Sequence, residues 1–273
     1  MGAANRARLD RELVRRGLAD SRTVAQELIA AGQVTIDGAP GRKPATLVTP
    51  RQQLTVVGPG RRWVSRGGDK LDGTLDALDL HVSRRVCLDA GASTGGFTDV
   101  LLARGADTVI AVDVGYGQLA WRLRTDHRVV VVERTHVRDL TVAQLAGHTP
   151  SLVVADLSFI SLRSVLPPLH ALLGDDVDWC CLVKPQFEVG RAAVGRRGVV
   201  RDPLDWARAL DGVQTQAQAL GLVVAGGTVS GLPGPAGNIE FFVWLRDHDP
   251  ADWAELRDQL LRHGVALRDR TTG

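Results

Sequence analysis

The chain has 273 residues, of which 44% are hydrophobic, enough for one sizeable domain and a smaller one. Its longest apolar runs, such as Val129 to Val132, fall far short of the roughly 20 residues that a membrane-spanning helix needs. The N-terminus lacks the apolar segment of a secretory signal, so we expect a cytoplasmic protein. Cys87, Cys180 and Cys181 lie in apolar runs without metal-ligand spacing, which predicts buried thiols and no metal site.

The net charge of +2 is distributed unevenly along the chain. Up to Arg62 there are eleven Lys or Arg and five Asp or Glu, a net charge of +6, and the remainder has a net charge of −4. A small basic segment joined to a mildly acidic body predicts a polyanionic partner for the N-terminus.

Lysine is rare in this chain. Of the 33 basic residues, only Lys43, Lys70 and Lys184 are lysine, and the others are arginine. Because burial or a nearby like charge can lower the pKa of lysine, whereas arginine stays protonated, each lysine is a candidate for chemistry. The alternative is that three lysines remain by chance.

The first 60 residues predict a small α+β module. Apolar residues recur at helical spacing in two segments, which indicates a first helix ending at Gly17 and a second that Ser21 caps and Gly32 ends. Two strand-like segments follow, Val34 to Ile36 and Leu54 to Val57.

This module resembles the alpha-L RNA-binding domain named after the fourth protein of the small ribosomal subunit. The residues that carry the resemblance are Arg8-Leu9-Asp10, Gly17, Ser21-Arg22, Ala25, Leu28-Ile29, Gly32, Val34, Gly38 and Lys43-Pro44. In that family, paired helices present basic side chains to RNA phosphates. The resemblance implies RNA binding by Arg8, Arg11, Arg15, Arg22 and Lys43, and the alternative is a merely solvated basic face.

From Val86 onward, strands alternate with amphipathic segments, which predicts an α/β fold of the Rossmann-like type with a doubly wound, mainly parallel sheet. The predicted strands are Val86 to Asp89, Thr108 to Asp113, Val129 to Glu133, Leu152 to Asp156, Trp179 to Lys184, Leu222 to Val229 and Ile239 to Leu245. The predicted helical segments are Leu71 to Leu80, Phe97 to Ala103, Leu162 to Leu173 and Leu204 to Leu220. We therefore expect an RNA-binding domain over 1–60, a linker over 61–68 and a larger domain over 69–273.

The first strand of this larger domain leads from Asp89 into a glycine-rich loop that precedes a helix. Glycines there let the backbone approach a ligand at the carboxyl edge of the sheet, and Asp113, at the end of the next strand, would meet a ribose diol. The predicted cofactor-binding residues are Asp89, Gly91, Ser93, Thr94, Gly95, Gly96, Phe97 and Asp113.

Three interpretations compete for this loop. A dinucleotide needs glycine where Ser93 stands, because a side chain there would crowd the pyrophosphate. The run from Gly91 to Gly95 also matches the nucleophile elbow of hydrolases, but no histidine at a suitable strand end completes a triad. An acidic residue before the loop suits a cofactor with an amino-acid tail and no phosphate. We therefore expect S-adenosylmethionine, with a decayed, empty pocket as the remaining alternative.

Two lysines and two acids are expected at the same edge of the sheet. Lys70 precedes the first strand, Asp156 ends the fourth, Lys184 ends the fifth and Glu240 begins the seventh. Each pair could be a structural salt bridge. However, the set resembles the Lys-Asp-Lys-Glu tetrad of FtsJ-type RNA 2′-O-methyltransferases. On this resemblance Lys184 is the expected general base, Lys70 orients the ribose hydroxyl, and the two carboxylates position the ammonium groups.

Further motifs are similar to those of the TlyA family, whose members are often labelled hemolysins. They are Arg61 to Val64, Ser65 to Leu71, Asp89 to Thr98, Asp156 to Ser161 and Lys184 to Glu188. The resemblance covers nearly the whole chain and implies 2′-O-methylation of cytidines in 16S and 23S ribosomal RNA. Arg61, Trp63 and Arg66 are added as candidate RNA contacts. The sequence departs from the family at Thr135-His136, where Thr-Asn is typical.

Two other functions remain open. A non-catalytic RNA-binding protein would need the N-terminal module without the cofactor pocket. A membrane-active hemolysin would need a long apolar or strongly amphipathic basic helix, which the sequence does not contain. We therefore expect a monomer whose partners are ribosomal RNA or ribosomal subunits, with neither DNA nor membrane as a partner.

Overall fold

The computed structural model describes residues 6–19, 22–56, 62–190, 193–195 and 198–272. The chain divides into two compact units, Met1–Ser65 and Arg66–Gly273, and each unit has its own hydrophobic core. The predicted cap Ser21, the strand end Val57 and the candidate contact Arg61 lie outside the described residues. The domain limits expected at residues 60 and 68 stay a prediction.

The N-terminal unit contains two short helices and two small antiparallel sheets. Its elements are β1 (Ala7–Arg8), α1 (Leu9–Arg15), α2 (Arg22–Ala30), β2 (Val34–Ile36), β3 (Ala39–Pro40), β4 (Leu47–Val48) and β5 (Leu54–Val56). Strand β2 lies between β3 and β5, and β1 pairs with β4. Gly17 and Gly32 adopt the left-handed conformation, with φ of 68° and 70°, directly after the two helices. The helix ends predicted at these two glycines are confirmed.

A buried carboxylate holds the two helices of this unit together. Asp10 is fully buried and accepts hydrogen bonds from Arg8 Nε at 3.0 Å, Arg22 Nε at 2.8 Å and Gln26 Nε2 at 3.1 Å. The hydrogen bond from the Arg8 guanidinium is the main reason that the pKa of Asp10 lies well below its usual value. Because Arg8 precedes α1 and Arg22 begins α2, this one carboxylate joins both helices.

The larger unit is built on a seven-stranded sheet. Its strands are β6 (Val86–Ala90), β7 (Thr108–Val112), β8 (Val129–Val132), β9 (Leu152–Ala155), β10 (Asp178–Val183), β11 (Val223–Val229) and β12 (Phe241–Arg246). Their spatial order is β11-β12-β10-β9-β6-β7-β8. The five strands from β10 to β8 are parallel, and β12 runs antiparallel to both β10 and β11. The prediction of a mainly parallel α/β sheet is confirmed.

Helices cover both faces of this sheet. They are α3 (Arg66–Ala77), α4 (Gly96–Ala103), α5 (Trp121–Arg124), α6 (Leu162–Leu173), α7 (Pro185–Glu188), α8 (Pro203–Gln218) and α9 (Trp253–Thr272). The neighbouring residues Phe241 and Phe242 of β12 point to opposite faces. The ring centroid of Phe241 lies 5.8 Å from that of Trp206 in α8, and that of Phe242 lies 6.1 Å from that of Phe97 in α4. Burial on both faces explains the uninterrupted apolar runs in the sequence.

Helix α9 follows the last strand, in a region where the sequence patterns predict no helix. Its middle contains Gly264, which lowers helix propensity by about 1 kcal/mol relative to alanine. In the fold this glycine serves packing, since a Cβ there would lie 3.2 Å from the rings of both Phe241 and Trp206. Tertiary contact therefore overrides the local preference.

The three cysteines are free and buried, as predicted. Loss of solvation raises the pKa of Cys87 and of Cys181 to about 12, so both thiols stay protonated at neutral pH. These residues belong to the interior of the sheet.

The role of Asp10 leads to a stability prediction. We expect Asp10→Ala to destabilise the N-terminal unit by about 1.5 to 3 kcal/mol, the usual value of a hydrogen bond to a charged group. The measurement is amide hydrogen exchange in the full-length chain, where protection should fall in α1 and α2. Protection in α8 of the larger unit serves as the internal control. Unchanged exchange in α1 and α2 would show that Asp10 does not hold the two helices.

Candidate active site

The glycine-rich loop after β6 passes unusually close to the end of β9. Gly91 has a φ of 90°, and a Cβ at this position would lie 2.5 Å from the carbonyl oxygen of Asp156. The loop is also bound to β7, because the Gly91 and Ala92 N–H groups both donate to the carbonyl of Val112, at 2.9 and 3.0 Å. Only glycine fits at position 91, and its absence of a side chain brings this loop and Asp156 together.

Asp113 holds the same loop from the other side. One carboxylate oxygen accepts the N–H of Ser93 at 2.8 Å and the other accepts the N–H of Gly115 at 2.6 Å. Ser93 itself has a φ of 49°, a left-handed conformation that this bond helps to maintain. Each carboxylate oxygen can accept a second hydrogen bond, so Asp113 retains acceptor capacity toward a ligand.

A cavity of about 340 Å³ opens at this edge of the sheet. It is lined by the last residue of β7 and by residues that follow β6, β7, β8 and β9, namely Gly91, Ser93, Val112, Asp113, Val114, Gln118, Thr135, His136, Val137, Asp156, Leu157, Ser158, Phe159 and Ile160. Of the predicted cofactor residues, Gly91, Ser93 and Asp113 thus face the cavity. Its size is that of a small-molecule site.

The other residues of the glycine-rich motif support the loop from behind. Gly95, with a φ of 97°, precedes α4, and a Cβ there would collide with Leu123 Cδ1 at 2.4 Å. Gly96 begins the helix, the carbonyl of Thr94 accepts the N–H of Ala120 at 3.2 Å, and Phe97 is buried beneath the sheet. Cofactor contacts by Thr94, Gly95, Gly96 and Phe97 stay predictions.

His136, the departure from the typical Thr-Asn pair, has a structural task at the cavity wall. Its Nδ1 accepts the N–H of Arg138 at 3.2 Å and so caps the 3₁₀ turn Val137–Asp139. An asparagine side chain caps a helical turn through the same kind of acceptor. The substitution therefore preserves the cap.

Asp89 is fully buried at the end of β6 and is only partly satisfied. Its Oδ2 accepts the Thr98 hydroxyl at 2.7 Å, and its Oδ1 has no hydrogen-bond partner within the described part of the chain. Desolvation raises the pKa of Asp89 to about 7, and the nearby charges of Asp156 and Asp113 act in the same direction. An incompletely paired carboxylate among other acids suits a cationic ligand.

The four predicted catalytic residues form two ion pairs. Lys70 Nζ donates to Glu240 Oε2 at 2.5 Å, and Lys184 Nζ lies 2.5 Å from Asp156 Oδ1. The pairs are neighbours because β12 is antiparallel to β10 and Val183 pairs with Phe241. Lys184 follows Val183 and Glu240 precedes Phe241, so these two residues come side by side. The amino end of one strand thus meets the carboxyl end of the other.

The two pairs differ in their access to solvent. The side chains of Lys70 and Glu240 are 8% and 1% exposed, whereas those of Lys184 and Asp156 are 11% and 24% exposed. Asp156 lines the cavity, and Lys184 Nζ also donates to the exposed hydroxyl of Ser158 at 3.1 Å. Lys184 and Asp156 are therefore the pair that a substrate can reach.

The candidate RNA-binding side chains of the N-terminal unit fall into two groups. Arg8 and Arg22 are fixed by Asp10, and Arg15 donates to Glu12 at 2.6 and 2.7 Å. Arg11 and Lys43 are exposed, as are Arg15 and Arg22, but within the described part of the chain neither Arg11 nor Lys43 has an ion pair with an acidic side chain. Both groups present positive charge at the surface.

The candidate contacts near the start of the larger unit lie in different environments. Trp63 is buried, with the Arg62 guanidinium 4.6 Å from its ring centroid. Arg66 donates from Nη2 to the carbonyl of Pro233 at 3.3 Å. RNA contacts by these residues stay predictions.

Sequence reasoning missed two features of the site. Phe159 is 92% exposed beside the cavity, with a φ of 66° that is rare for a bulky residue. Glu188 is buried at the end of α7 and bonds to the start of α6. Both belong to quoted motifs, Asp156 to Ser161 and Lys184 to Glu188, and only the fold shows what they contact.

Comparison with known proteins agrees with this geometry. The family model described as FtsJ-like methyltransferase matches residues 63–247, and the S4 domain model matches residues 7–54. The 16S/23S rRNA (cytidine-2′-O)-methyltransferase TlyA of Mycobacterium tuberculosis is 59% identical over 244 residues, which cover 89% of this chain and 91% of that protein.

The chain belongs to the TlyA family of FtsJ-like methyltransferases. Another relative of the TlyA family is named Hemolysin A, from Brachyspira hyodysenteriae, with 36% identity over 86% of this chain and 97% of that protein. A Streptococcus thermophilus protein solved as a candidate hemolysin has 36% identity and a TM-score of 0.79, with 99% of each chain covered. Among the described residues, no helix is long and apolar enough to cross a membrane.

The raised pKa of Asp89 predicts a pH-dependent stability. A carboxyl with a pKa near 3.8 when unfolded and about 7 when folded favours folding most below the lower value, and this contribution is lost as pH rises to about 7. Asp89→Asn cannot ionise and keeps an acceptor for Thr98. We therefore expect the variant to gain stability relative to the parent as pH rises from 4 to 7, by up to about 4 kcal/mol.

The measurement is urea unfolding of parent and variant, without cofactor, at pH 4 and pH 7. Only the difference between the two proteins is compared, because other groups titrate equally in both. A difference that is the same at both pH values would contradict the assignment.

Proposed function

We propose that this protein transfers a methyl group from S-adenosylmethionine to the ribose 2′-hydroxyl of cytidine in 16S and 23S ribosomal RNA. The observation that carries the proposal is the pair Lys184–Asp156 at the rim of a cofactor-sized cavity, beside the second pair Lys70–Glu240. The name of the Mycobacterium tuberculosis relative supplies the substrate class.

The cavity suits S-adenosylmethionine. Gly91 leaves room for close approach, and Asp113 offers acceptors for a ribose diol. Asp89 is buried and is not among the lining residues, but its Oδ1, which has no partner within the described part of the chain, suits a cationic amino group. His136 and Thr135 line the wall where we expect the adenine. When bound, the cofactor supplies an electrophilic methyl group whose departure leaves a neutral thioether.

The chain's own residues prepare the hydroxyl. A ribose 2′-hydroxyl is a weak nucleophile and must lose its proton as the methyl group arrives, so a group within reach has to accept that proton. Lys184 Nζ is that group when it is a neutral amine; it takes the proton and becomes an ammonium ion, and Asp156 fixes its position. Lys70, held by Glu240, orients the hydroxyl from the second strand end. Positioning supplies the remaining rate acceleration.

The N-terminal unit supplies RNA affinity. Arg8, Arg11, Arg15, Arg22 and Lys43 offer positive charge to phosphates, which contribute most of the sequence-independent binding energy. At the cavity, the exposed ring of Phe159 offers an apolar face on which a nucleobase can stack. We place the enzyme in the cytoplasm, with its ribosomal RNA substrate, as a monomer that binds neither DNA nor membrane.

Mapping of 2′-O-methyl groups tests this function directly. Ribosomal RNA is incubated with S-adenosylmethionine and either the parent or the Asp156→Ala variant, and methylated positions are then read on both subunit RNAs. New 2′-O-methyl cytidines with the parent alone are expected. If the parent binds RNA and cofactor but transfers no methyl group, the result would favour a non-catalytic RNA-binding protein.

A substitution of Lys184 tests its proposed role as the general base. Lys184→Arg keeps positive charge and can pair with Asp156, but an arginine side chain does not release its proton near neutral pH. We expect single-turnover methyl transfer to collapse, while cofactor and RNA binding persist. Lys43→Arg, at the exposed lysine of the N-terminal unit, is the matched control and should retain the parental rate. A rate for Lys184→Arg within about tenfold of the parent, or roughly 1.4 kcal/mol of barrier, would exclude Lys184 as the base.

The N-terminal unit gives a prediction about RNA binding. Arg11 and Lys43 are exposed, so Arg11→Gln with Lys43→Gln should weaken RNA binding without unfolding the unit. Each lost phosphate contact should reduce the slope of log K against log salt by about 0.7 to 0.9. Filter binding over a range of salt concentrations measures this slope, and Arg262→Gln on α9 is the control. An unaltered slope in the double variant would remove these two residues from the RNA interface.

A further inference from the structure

Two segments carry the reachable ion pair. The β9 segment, residues 156–162, contains Asp156 and leads into α6, and the β10 segment, residues 184–188, begins with Lys184 and forms α7. The segments follow neighbouring parallel strands, since Cys181 of β10 pairs with Ala155 of β9. Beyond these strands, the sheet's backbone ladder no longer holds them together, so their relative position depends on side chains.

Glu188 joins the far ends of the two segments. Its Oε2 accepts the Ser161 hydroxyl at 2.5 Å, and its Oε1 accepts the N–H of Leu162 at 2.7 Å. Arg163 adds its Nε at 3.3 Å to Oε2 and donates from Nη2 to the carbonyl of Glu188 at 2.7 Å. The Glu188 side chain is only 2% exposed. This carboxylate is therefore buried and fully committed to the start of α6.

Helix α7 connects Glu188 to Lys184, so the hydrogen bonds of Glu188 also restrict the position of Lys184. The helix is a single turn in which the N–H of Phe187 donates to the carbonyl of Lys184 at 2.9 Å and Val189 donates to Pro185 at 3.0 Å. Lys184 is the N-cap of this turn and Glu188 is its last residue, so the two residues form its two ends. Fixing the carboxylate of Glu188 fixes the turn that carries Lys184.

The two segments are thus joined at three levels. Lys184 contacts Asp156 and Ser158 at the cavity, the ring centroids of Phe159 and Phe187 lie 5.4 Å apart in the middle, and Glu188 closes the far end. The first contact is the reactive one, and the aromatic pair is non-directional and exposed on the Phe159 side. Glu188 supplies the directional, buried bonds that set the register of one segment against the other.

We propose that Glu188 is a positioning residue for methyl transfer, whose buried carboxylate joins the β9 and β10 segments and thereby holds Lys184 Nζ against Asp156. This inference rests on the proposed function. Capping of α6 alone would not require the carboxylate, because the Ser161 hydroxyl already accepts the N–H of Arg163. A buried charge generally contributes little net stability compared with apolar packing, so its use here indicates a geometric task.

Two variants at Glu188 separate geometry from charge. Glu188→Asp keeps the charge but is one methylene shorter, so it withdraws the carboxylate from α6. We expect its single-turnover methyl-transfer rate to fall by about a hundredfold, the effect of a displacement near 1 Å in a reactive group. Affinities for S-adenosylhomocysteine and ribosomal RNA should stay at the parental values. Glu188→Gln keeps the length and an acceptor for Leu162, and it should restore most of the rate. Glu255→Asp on α9 is the matched control.

The second readout does not depend on methyl transfer. The chain has three lysines, so labelling with acetic anhydride and mass spectrometry can follow each separately. We expect Glu188→Asp to raise the labelling of Lys184 relative to the exposed Lys43, because Lys184 is no longer held against Asp156. Ser161→Ala, which removes one donor and leaves the carboxylate, should shift rate and labelling in the same direction and serves if the aspartate variant does not fold.

The outcomes distinguish this inference from the proposed function. Parental rate and parental labelling in folded Glu188→Asp or Ser161→Ala would overturn the positioning role. A lost rate with lost cofactor and RNA binding but unchanged Lys184 labelling would also overturn it, since Glu188 would then be merely structural. If the parent itself does not methylate ribosomal RNA, the proposed function fails, and the Lys184 labelling alone decides whether Glu188 holds this lysine.

Discussion

The close approach of two backbones at the carboxyl edge of the sheet is the constraint on which the site depends. At Gly91 the loop after β6 runs against the carbonyl of Asp156, with no space for even one carbon atom between them. This contact places the glycine-rich loop and Asp156 on the same wall of the cavity. On the other side of the loop, Asp113 accepts the backbone N–H groups of Ser93 and Gly115. These hydrogen bonds keep the loop in its close position against Asp156.

Several acidic groups lie around this contact. Burial raises the pKa of Asp89 to about 7, and the nearby charges of Asp156 and Asp113 act in the same direction. Lys184 compensates Asp156 directly. The remaining negative potential favours a ligand that carries positive charge, which a sulfonium with an amino group does. The same field would disfavour a phosphate-bearing dinucleotide, in agreement with the serine at position 93.

The sheet could be predicted strand by strand because its strands are buried on both faces. Leu152–Ala155 is apolar throughout, Asp178–Val183 is apolar after its first residue, and both end close to the predicted residues. The same reasoning failed for α9. Its central glycine packs against Phe241, which is too far away in the sequence for a local pattern to include. Local patterns report burial well, and they do not report which distant element causes it.

The candidate site was predictable as a set of residues and not as a set of partners. Sequence placed Lys70, Asp156, Lys184 and Glu240 at one edge, yet the pairing of each lysine with its acid follows from the antiparallel β12. The role of Glu188 is a stronger example. Its partners Ser161 and Leu162 are 26 residues or more away, and no spacing rule connects them.

The buried carboxylate of Asp10 has a consequence for the RNA contacts proposed for the N-terminal unit. A free arginine explores many rotamers and adapts to any phosphate, whereas Arg8 and Arg22 are tied to one point in the interior. Two guanidinium groups held at a fixed separation would bind best to two phosphates that are the same distance apart. The two arginine side chains, already fixed in position, would lose little conformational entropy on binding. On the RNA contacts proposed for Arg8 and Arg22, such a pair would favour a folded RNA whose backbone already has that spacing over a flexible single strand that would have to be ordered first.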